Sequence, residues 1–194
     1  MRKARKRNMN NAKQFFKSYR FLQLLTGLIY LIMAVLAMRY TERTIIQSVQ
    51  LVGIFSLIKG FFELMNRKKI ALRTQRNQYS ALIIGFVDIL IGLILVVNTT
   101  LDVTSLAILF GVWFICDSVI SFFMLDLAKL IAMPYYYISL IVDLVGCMIG
   151  LLLLVGGESL IINIPSLIGN YFLLFGFTKL IGGVINREDL HSVK

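Results

Sequence analysis

The chain has 194 residues, of which 58% are hydrophobic and 15% charged, whereas soluble domains average about 45–50% apolar and about 25% charged residues. A net charge of +10 would suit a nucleic-acid-binding protein, but a mean hydropathy of +0.82 argues against that class and indicates a protein embedded in lipid. Two cysteines inside apolar runs and a single histidine near the C-terminus exclude a disulfide framework, a zinc site and a His-based catalytic triad.

Six apolar runs follow one another along the chain. A helix that crosses the hydrocarbon core, which is about 30 Å thick, needs about 20 mostly apolar residues. Because the runs are nearly continuous and do not alternate with polar residues, they predict helices and exclude barrel strands. The predicted fold class is an all-α integral membrane protein with six transmembrane helices, at residues 21–38, 44–65, 79–97, 103–124, 137–155 and 160–185.

The positive charges indicate how the helices are oriented. Of the 20 Lys and Arg residues, sixteen fall in the N-terminal tail, in the loops after the second and fourth runs, or in the C-terminal tail. Positive residues in short loops stay in the cytoplasm, so both termini are predicted to be cytoplasmic. The basic start also fits a signal peptide, an alternative that the internal repeat argues against.

The sequence repeats with a period of 58 residues and no gaps. When the three copies are aligned, small residues coincide at two positions, one in each helix of the hairpin. An aromatic residue lies two positions after the small residue of the second helix in every copy. Three αα-hairpins of 58 residues are therefore predicted, and cleavage of a signal peptide would remove half of the first. The coinciding positions are Ala34, Gly92 and Gly150, then Gly53, Gly111 and Gly169, then Phe55, Trp113 and Tyr171.

This repeat sets the predicted domain organisation. Small residues on lipid-embedded helices allow close backbone approach, so these positions are predicted to pack the bundle, with a homo-oligomer interface as the alternative. The predicted units are a basic cytoplasmic tail at 1–20, a six-span membrane domain at 21–186 with repeats 21–78, 79–136 and 137–194, and a cytoplasmic C-terminal tail at 187–194.

Six ionisable residues fall inside the predicted helices. Each costs about 2.5–3.5 kcal/mol at a helix centre, so each should face a partner, water or the bundle interior, in a proton-responsive or a structural role. Residues one or two repeat lengths apart share a depth, which pairs Lys59 with Asp117, 58 residues apart, and Glu63 with Lys179, 116 residues apart. An i,i+4 pair between Lys59 and Glu63 is the alternative. The six are Lys59, Glu63, Asp88, Asp117, Asp143 and Lys179.

Asp88 is the strongest candidate for proton sensing. It lies near the middle of the third predicted helix, with no evident cation at its depth. Such a carboxyl group is expected to favour its protonated form. The alternative is a neutral acid that is hydrogen-bonded to a neighbouring helix and has a structural role only.

The N-terminal tail contains no acidic residue, and its basic residues alternate with Phe15, Phe16 and Tyr19. This pattern predicts contact with anionic lipid headgroups. Binding of single-stranded RNA and a mitochondrial presequence are the alternatives, and the position beside the first membrane helix favours lipid. The predicted headgroup contacts are Arg2, Lys3, Arg5, Lys6, Arg7, Lys13, Lys17 and Arg20.

The sequence has no GxSxG, HExxH or P-loop motif. It therefore predicts a protein that is not an enzyme and that holds no cofactor or metal ion.

The region from residue 21 to about 186 resembles the HdeD-like acid-resistance membrane proteins. These proteins have six spans built from short two-helix repeats with Gly and an aromatic residue in the second helix, as in Gly111-Val112-Trp113 followed by Ser118. The resemblance implies a bacterial inner-membrane protein involved in acid or envelope stress. The long basic tail, and Ser118 where Gly is expected, depart from the family pattern.

Two other functions fit the same pattern. One is a transport component, such as the small substrate-binding membrane subunit of energy-coupling-factor importers, which should have a cavity with convergent polar groups. The other is a lipid-interacting scaffold that acts through the basic tail and an oligomer. The expected partners in every case are the lipid bilayer and its anionic headgroups, and not nucleic acid.

Overall fold

A computed structural model describes residues 19–38, 45–74, 79–98, 100–155 and 164–186. Within these ranges the chain forms seven α-helices and no strand. The helices are α1 (Tyr19–Met38), α2 (Ile45–Thr74), α3 (Tyr79–Val97), α4 (Val103–Phe123), α5 (Leu125–Ile131), α6 (Met133–Val155) and α7 (Ile164–Ile185).

Five of the helices, α1, α3, α4, α6 and α7, are long and apolar enough to cross a membrane. The chain is therefore an all-helical protein of the multi-pass membrane type. Helix α2 is not among the five. Its apolar part carries Lys59 and Glu63, and its last residues add Arg67, Lys68, Lys69 and Arg73. The structure thus accounts for five of the six predicted spans by length and composition.

The structure differs from the prediction between the fourth and fifth spans. The short helix α5 occupies part of a predicted loop, because its apolar side chains pack against neighbouring helices: Leu127 meets Ala81 of α3, and Leu125 meets Tyr135 of α6. Helix α6 begins at Met133, four residues before the predicted start. Pro134 lies in its first turn, where a missing N–H leaves no hydrogen bond unmade.

The six long helices form a closed ring with alternating close and looser neighbours. The closest pairs are α1 with α7, α2 with α3, and α4 with α6, while α1–α2, α3–α4 and α6–α7 are looser. The strongest packing therefore lies between successive predicted hairpins and not within them. The last helix closes the ring by packing on the first.

Glycines lie at each close helix pair. A Cβ atom on Gly92 of α3 would lie 2.7 Å from the carbonyl oxygen of Gly53, and one on Gly150 of α6 would lie 2.9 Å from that of Gly111. A Cβ atom on Gly27 of α1 would lie 3.0 Å from the carbonyl oxygen of Gly176. These positions leave no room for a side chain, and the geometry agrees with the packing role predicted for the small residues.

The inside and the outside of the ring differ in their side chains. Aromatic rings fill the centre, where Phe110, Trp113 and Phe172 are almost completely buried. Many large apolar side chains, such as Phe61 and Phe86, point outward and are more than half exposed. An apolar outer surface of this kind requires lipid as its solvent.

Candidate functional site

Four charged residues meet inside the ring and form what we call the charged cluster: Lys59, Glu63, Asp88 and Asp117. Lys59 Nζ lies 2.6 Å from Asp88 Oδ2, 3.4 Å from Asp117 Oδ1 and 3.8 Å from Glu63 Oε1. The Lys59 side chain is only 1% exposed. One buried ammonium group is therefore shared by three carboxyl groups from three helices.

The close contact of α2 with α3 places Lys59 beside Asp88. The next residue, Gly60, approaches Gly85 so closely that a Cβ atom on Gly85 would lie 2.9 Å from the Gly60 carbonyl oxygen. The expectation that Asp88 has no cation at its depth is therefore wrong. The sequence interpretation considered only partners at equivalent repeat positions or on the same helix, and it did not include the contact between successive hairpins.

The second oxygen of Asp88 also has a partner. Trp113 Nε1 on α4 donates a hydrogen bond to Asp88 Oδ1 at 2.9 Å. Ser56 Oγ on α2 donates to the Asp88 main-chain carbonyl oxygen at 2.8 Å, which anchors the backbone as well. Both carboxylate oxygens are thus hydrogen-bonded, as a buried charge requires.

Asp117 accepts hydrogen bonds from two tyrosines, one on α1 and one on α7, the first and last helices of the ring. Tyr30 Oη of α1 and Tyr171 Oη of α7 both donate to Asp117 Oδ2, at 2.6 and 3.0 Å. The Tyr171 ring stacks on Phe114, with centroids 3.6 Å apart, so the direction of its hydroxyl is fixed. Lys59 Nζ also lies 4.9 Å from the centroid of the Tyr30 ring, within cation–π range.

The ion pairs expected from the repeat are partly formed. The pair between Lys59 and Asp117 is present, and so is its i,i+4 alternative between Lys59 and Glu63. Glu63 and Lys179 attract each other electrostatically but are not among the ion pairs within 4.0 Å that the described residues form. Both side chains line the same cavity.

This cavity adjoins the charged cluster and has a volume of about 40 Å³. A water molecule needs about 10–15 Å³ of such space, so the cavity has room for a few waters. Glu63 Oε2 is buried and has no hydrogen-bond partner within the described part of the chain. The polar and charged residues that line the cavity are Gln23, Thr26, Tyr30, Glu63, Asp117, Ser121 and Lys179.

Asp143 on α6 is buried, at 3% exposure, but it does not contact Lys59. Among the described residues, neither Asp143 Oδ2 nor Ser118 Oγ has a hydrogen-bond partner. Asp143 and Ser118 fall 58 residues after Gly85 and Gly60, which form the close contact between α2 and α3. The interface of α4 with α6 thus carries two polar side chains at the positions where the interface of α2 with α3 carries glycines.

The sequence interpretation missed the hydrogen-bond donors of the cluster. It aligned Trp113 with Tyr171 but used both only as coinciding positions of the repeat, and it did not select Tyr30. The repeat could have found them, because Tyr30 and Asp88 are 58 residues apart, as are Lys59 and Asp117. Tyr30 and Asp88 therefore share one repeat position, in the first helix of a hairpin. Lys59 and Asp117 share another, in the second helix.

Among the described residues, the arrangement brings together several acidic groups but no ligand set for a metal ion. Three carboxyl groups share one ammonium group in the cluster, and Lys179 adds a second cation at the cavity. No group of three His, Cys, Asp or Glu side chains is placed to hold a metal within the described residues. Buried acidic groups beside a polar cavity are typical of proton-binding sites in membrane proteins.

Of the predicted headgroup contacts, the structure describes Arg20. Its Nε donates to the carbonyl oxygen of Gly183 on α7 at 3.0 Å, which connects the start of the first helix to the end of the last. Arg2, Lys3, Arg5, Lys6, Arg7, Lys13 and Lys17 lie outside the described residues, as does the tail at 187–194.

A family model described as a short repeat of unknown function (DUF308) matches the chain twice, at residues 25–97 and 83–155. The two matches begin 58 residues apart. No curated protein and no solved structure matches the chain.

Proposed function

The chain belongs to the DUF308 short-repeat family, and on this premise we propose that it is a non-enzymatic membrane protein of the HdeD-like type that protects against acid or envelope stress. The support is the repeat itself together with the resemblance of residues 21–186 to HdeD-like proteins. The charged cluster beside its polar cavity is the observation that carries the stress role.

The proposed architecture has three 58-residue hairpins and six spans, the second of which lies in α2. The contact of α7 with α1 supports a third copy of the hairpin. A Cβ atom on Gly169 of α7 would lie 3.4 Å from the Ala34 carbonyl oxygen of α1. Positions 58 and 116 residues earlier than Gly169, Gly111 and Gly53, contact α6 and α3 in the same manner.

The proposed location is a bacterial inner membrane with both termini in the cytoplasm. The distribution of Lys and Arg supports this orientation. A reporter that is active only in the cytoplasm, fused after Lys194, should be active, and the same reporter inserted at Asn98 should be inactive. The opposite pattern would reverse the topology.

The charged cluster supports a response to protons because its charge balance depends on them. With all groups ionised, the cluster carries three negative charges and one positive charge among largely buried side chains beside a small cavity. Maintaining such charges in lipid is costly, and they usually serve a proton or ion function. A purely structural ion pair would need only one carboxylate for each ammonium group.

Acid-challenge survival of a deletion strain tests this function. The strain should survive acid poorly and should be rescued by the wild-type gene. Asp88→Asn should fail to rescue, because it removes the carboxylate that is closest to Lys59. Normal survival of the deletion strain would refute the stress role, and rescue by Asp88→Asn would refute the role of the cluster in it.

The cavity argues against the transport alternative. Small-molecule sites usually have volumes of about 300–1,000 Å³, whereas this cavity has about 40 Å³. It has room for a few water molecules and not for an organic solute of ordinary size. A small molecule that copurifies with the protein in stoichiometric amount would favour the transport component instead.

The proposed partners are the lipid bilayer and anionic headgroups, bound through the basic tail. Each Lys or Arg near an anionic surface contributes about 1 kcal/mol. Removal of residues 1–18 should weaken the binding of the protein to vesicles that contain phosphatidylserine. Its binding to neutral vesicles should not change. Equal behaviour towards both vesicle types would refute the lipid role.

A further inference from the structure

Glu63 lies where the charged cluster meets the cavity. Its side chain is 15% exposed, compared with 1% for Lys59 and Asp88 and 6% for Asp117. Its Oε1 atom lies 3.8 Å from Lys59 Nζ, and its Oε2 atom has no hydrogen-bond partner within the described residues. Glu63 therefore lines a space large enough for water and has one buried carboxyl oxygen without a hydrogen-bond partner among the described residues.

The other carboxyl groups of the cluster are differently placed. Asp88 has Lys59 on one oxygen and the Trp113 indole on the other. Asp117 accepts from two tyrosine hydroxyls and contacts Lys59 as well. A proton that arrives through the cavity meets the Glu63 side chain, which lines it and has one oxygen without a hydrogen bond among the described residues, whereas on Asp88 the proton would have to replace an existing hydrogen bond.

The charges around Glu63 are balanced closely enough for one proton to matter. Lys59 on its own helix and Lys179 on α7 attract it, while Asp88 on α3 and Asp117 on α4 oppose its negative charge. Tyr30 of α1 is the remaining titratable group that lines the cavity with it.

We propose that Glu63 is a proton-binding site that transmits the acidity on the cavity side to the charged cluster. A hydronium ion in the cavity transfers its proton to the Glu63 carboxyl group and leaves a water molecule. Neutral Glu63 no longer attracts Lys59, so the ammonium group is left to Asp88 and Asp117 alone. The proposal deepens the stress role above and rests on it only for its biological use.

The position of the cavity assigns a side to the site. Its lining includes Gln23 near the start of α1, Ala81 near the start of α3 and Met124 after the end of α4. These helix ends are the ones that the positive-charge distribution assigns to the cytoplasm. Glu63 is therefore expected to respond to acidification of the cytoplasm.

Trp113 provides a direct reporter for the test. It is the only tryptophan in the sequence, and its indole N–H is bonded to Asp88, which in turn contacts Lys59. The purified full-length protein in detergent is titrated from neutral to acid pH, with protons as the only ligand. The wild type should show a fluorescence transition, and Glu63→Gln should lose it.

Two further variants make the test specific. Glu63→Asp keeps a carboxyl group at a shorter reach and should retain the transition with a shifted midpoint. Asp102→Asn removes an exposed carboxyl group outside the cluster and should leave the transition unchanged. A wild-type transition in Glu63→Gln would overturn the proposal. If Glu63→Gln does not fold, an unshifted midpoint in Glu63→Asp would overturn it.

The sidedness is tested in proteoliposomes of known orientation, in which only the outer buffer is acidified. The transition should appear when the termini face outward and should be absent when they face inward; the reverse would overturn the assigned side. The survival assay is independent of this test. A Glu63-dependent transition without a survival defect would refute only the stress role, and a survival defect without that transition would refute only the Glu63 site.

Discussion

Lys59 Nζ lies 2.6 Å from Asp88 Oδ2, and each side chain is only 1% exposed. Lys59 is also the one cation within 4.0 Å of Asp117 among the described residues. Substitution of Lys59 by Met therefore leaves two buried aspartates without a cation. Loss of one partner of a buried ion pair costs about 3–5 kcal/mol, so we expect the free energy of unfolding to fall by that amount.

Thermal and denaturant unfolding in detergent, followed by circular dichroism, measure this loss. The double variant Lys59→Met with Asp88→Asn should recover part of the stability, because it no longer buries an unpaired Asp88 charge. A Lys59→Met protein as stable as the wild type would show that the cluster does not depend on its ammonium group.

The two tyrosines on Asp117 give a second prediction. Tyr30→Phe and Tyr171→Phe each remove one hydrogen bond to Asp117 Oδ2 but leave the other in place. Only the double variant leaves this oxygen without a hydroxyl donor, and an unsatisfied buried group costs about 1–3 kcal/mol. The double variant should therefore lose more stability than the sum of the two single variants.

The measurement is a double-mutant cycle on the free energy of unfolding. Phe114→Leu provides a matched control, because it removes the ring that stacks on Tyr171 but no hydrogen-bond donor. Phe114→Leu should lower the free energy of unfolding by the same amount whether or not the Tyr30 hydroxyl is present. Strict additivity of the two tyrosine variants would indicate that they act on Asp117 independently.

Much of the fold could be predicted from the sequence, because membrane helices need long apolar runs. The bounds of α3 agree with the prediction at both ends, and the start of α4 and the end of α6 agree as well. Helix α5 was missed because seven residues are too few to give a membrane signal, and its position depends on burial of Leu125 and Leu127 against other helices.

The candidate site could be predicted only in part. The cost of charge in lipid selected Lys59, Asp88 and Asp117 from the sequence, and the repeat correctly brought Lys59 to Asp117. It did not bring Lys59 to Asp88, because that contact depends on which helix packs against α2. Neighbours in the ring follow from the close approach of Gly60 to Gly85, and composition does not reveal such a pairing.

The glycine contacts between helices give a third prediction. In Gly92→Val, the added Cβ atom would lie 2.7 Å from the Gly53 carbonyl oxygen and 2.9 Å from the backbone nitrogen of Leu57, so α2 and α3 would have to separate. Overpacking of this kind costs about 1–3 kcal/mol. Leu93→Val, at a side chain that is 52% exposed on the outer surface, is the control and should change thermal stability far less.

The same separation should also alter the charged cluster, because α2 carries Lys59 and α3 carries Asp88. Trp113 fluorescence should therefore change in Gly92→Val and stay as in the wild type in Leu93→Val. Two variants with equal melting temperatures would show that the close approach at Gly92 is not needed for packing.

Outside the predicted spans, Asp102 gives a pH-dependent prediction. It is the N-cap of α4, and its Oδ1 accepts a hydrogen bond from the Ser105 backbone N–H at 3.4 Å. Hydrogen bonding to the Ser105 side chain and to backbone N–H groups lowers the pKa of Asp102 below its usual value, since these bonds favour the charged form. The cap therefore stabilises the fold fully above the unfolded-state pKa.

As the pH falls through the lowered folded-state pKa, Asp102 takes up a proton and this stabilisation is lost. In Asp102→Asn the amide oxygen still caps the helix, because Asn is about as good an N-cap as Asp. The amide does not titrate. At neutral pH the wild type should have a higher melting temperature than Asp102→Asn. This difference should shrink as acid is added. A constant difference across this range would mean that the cap does not depend on the charge of Asp102.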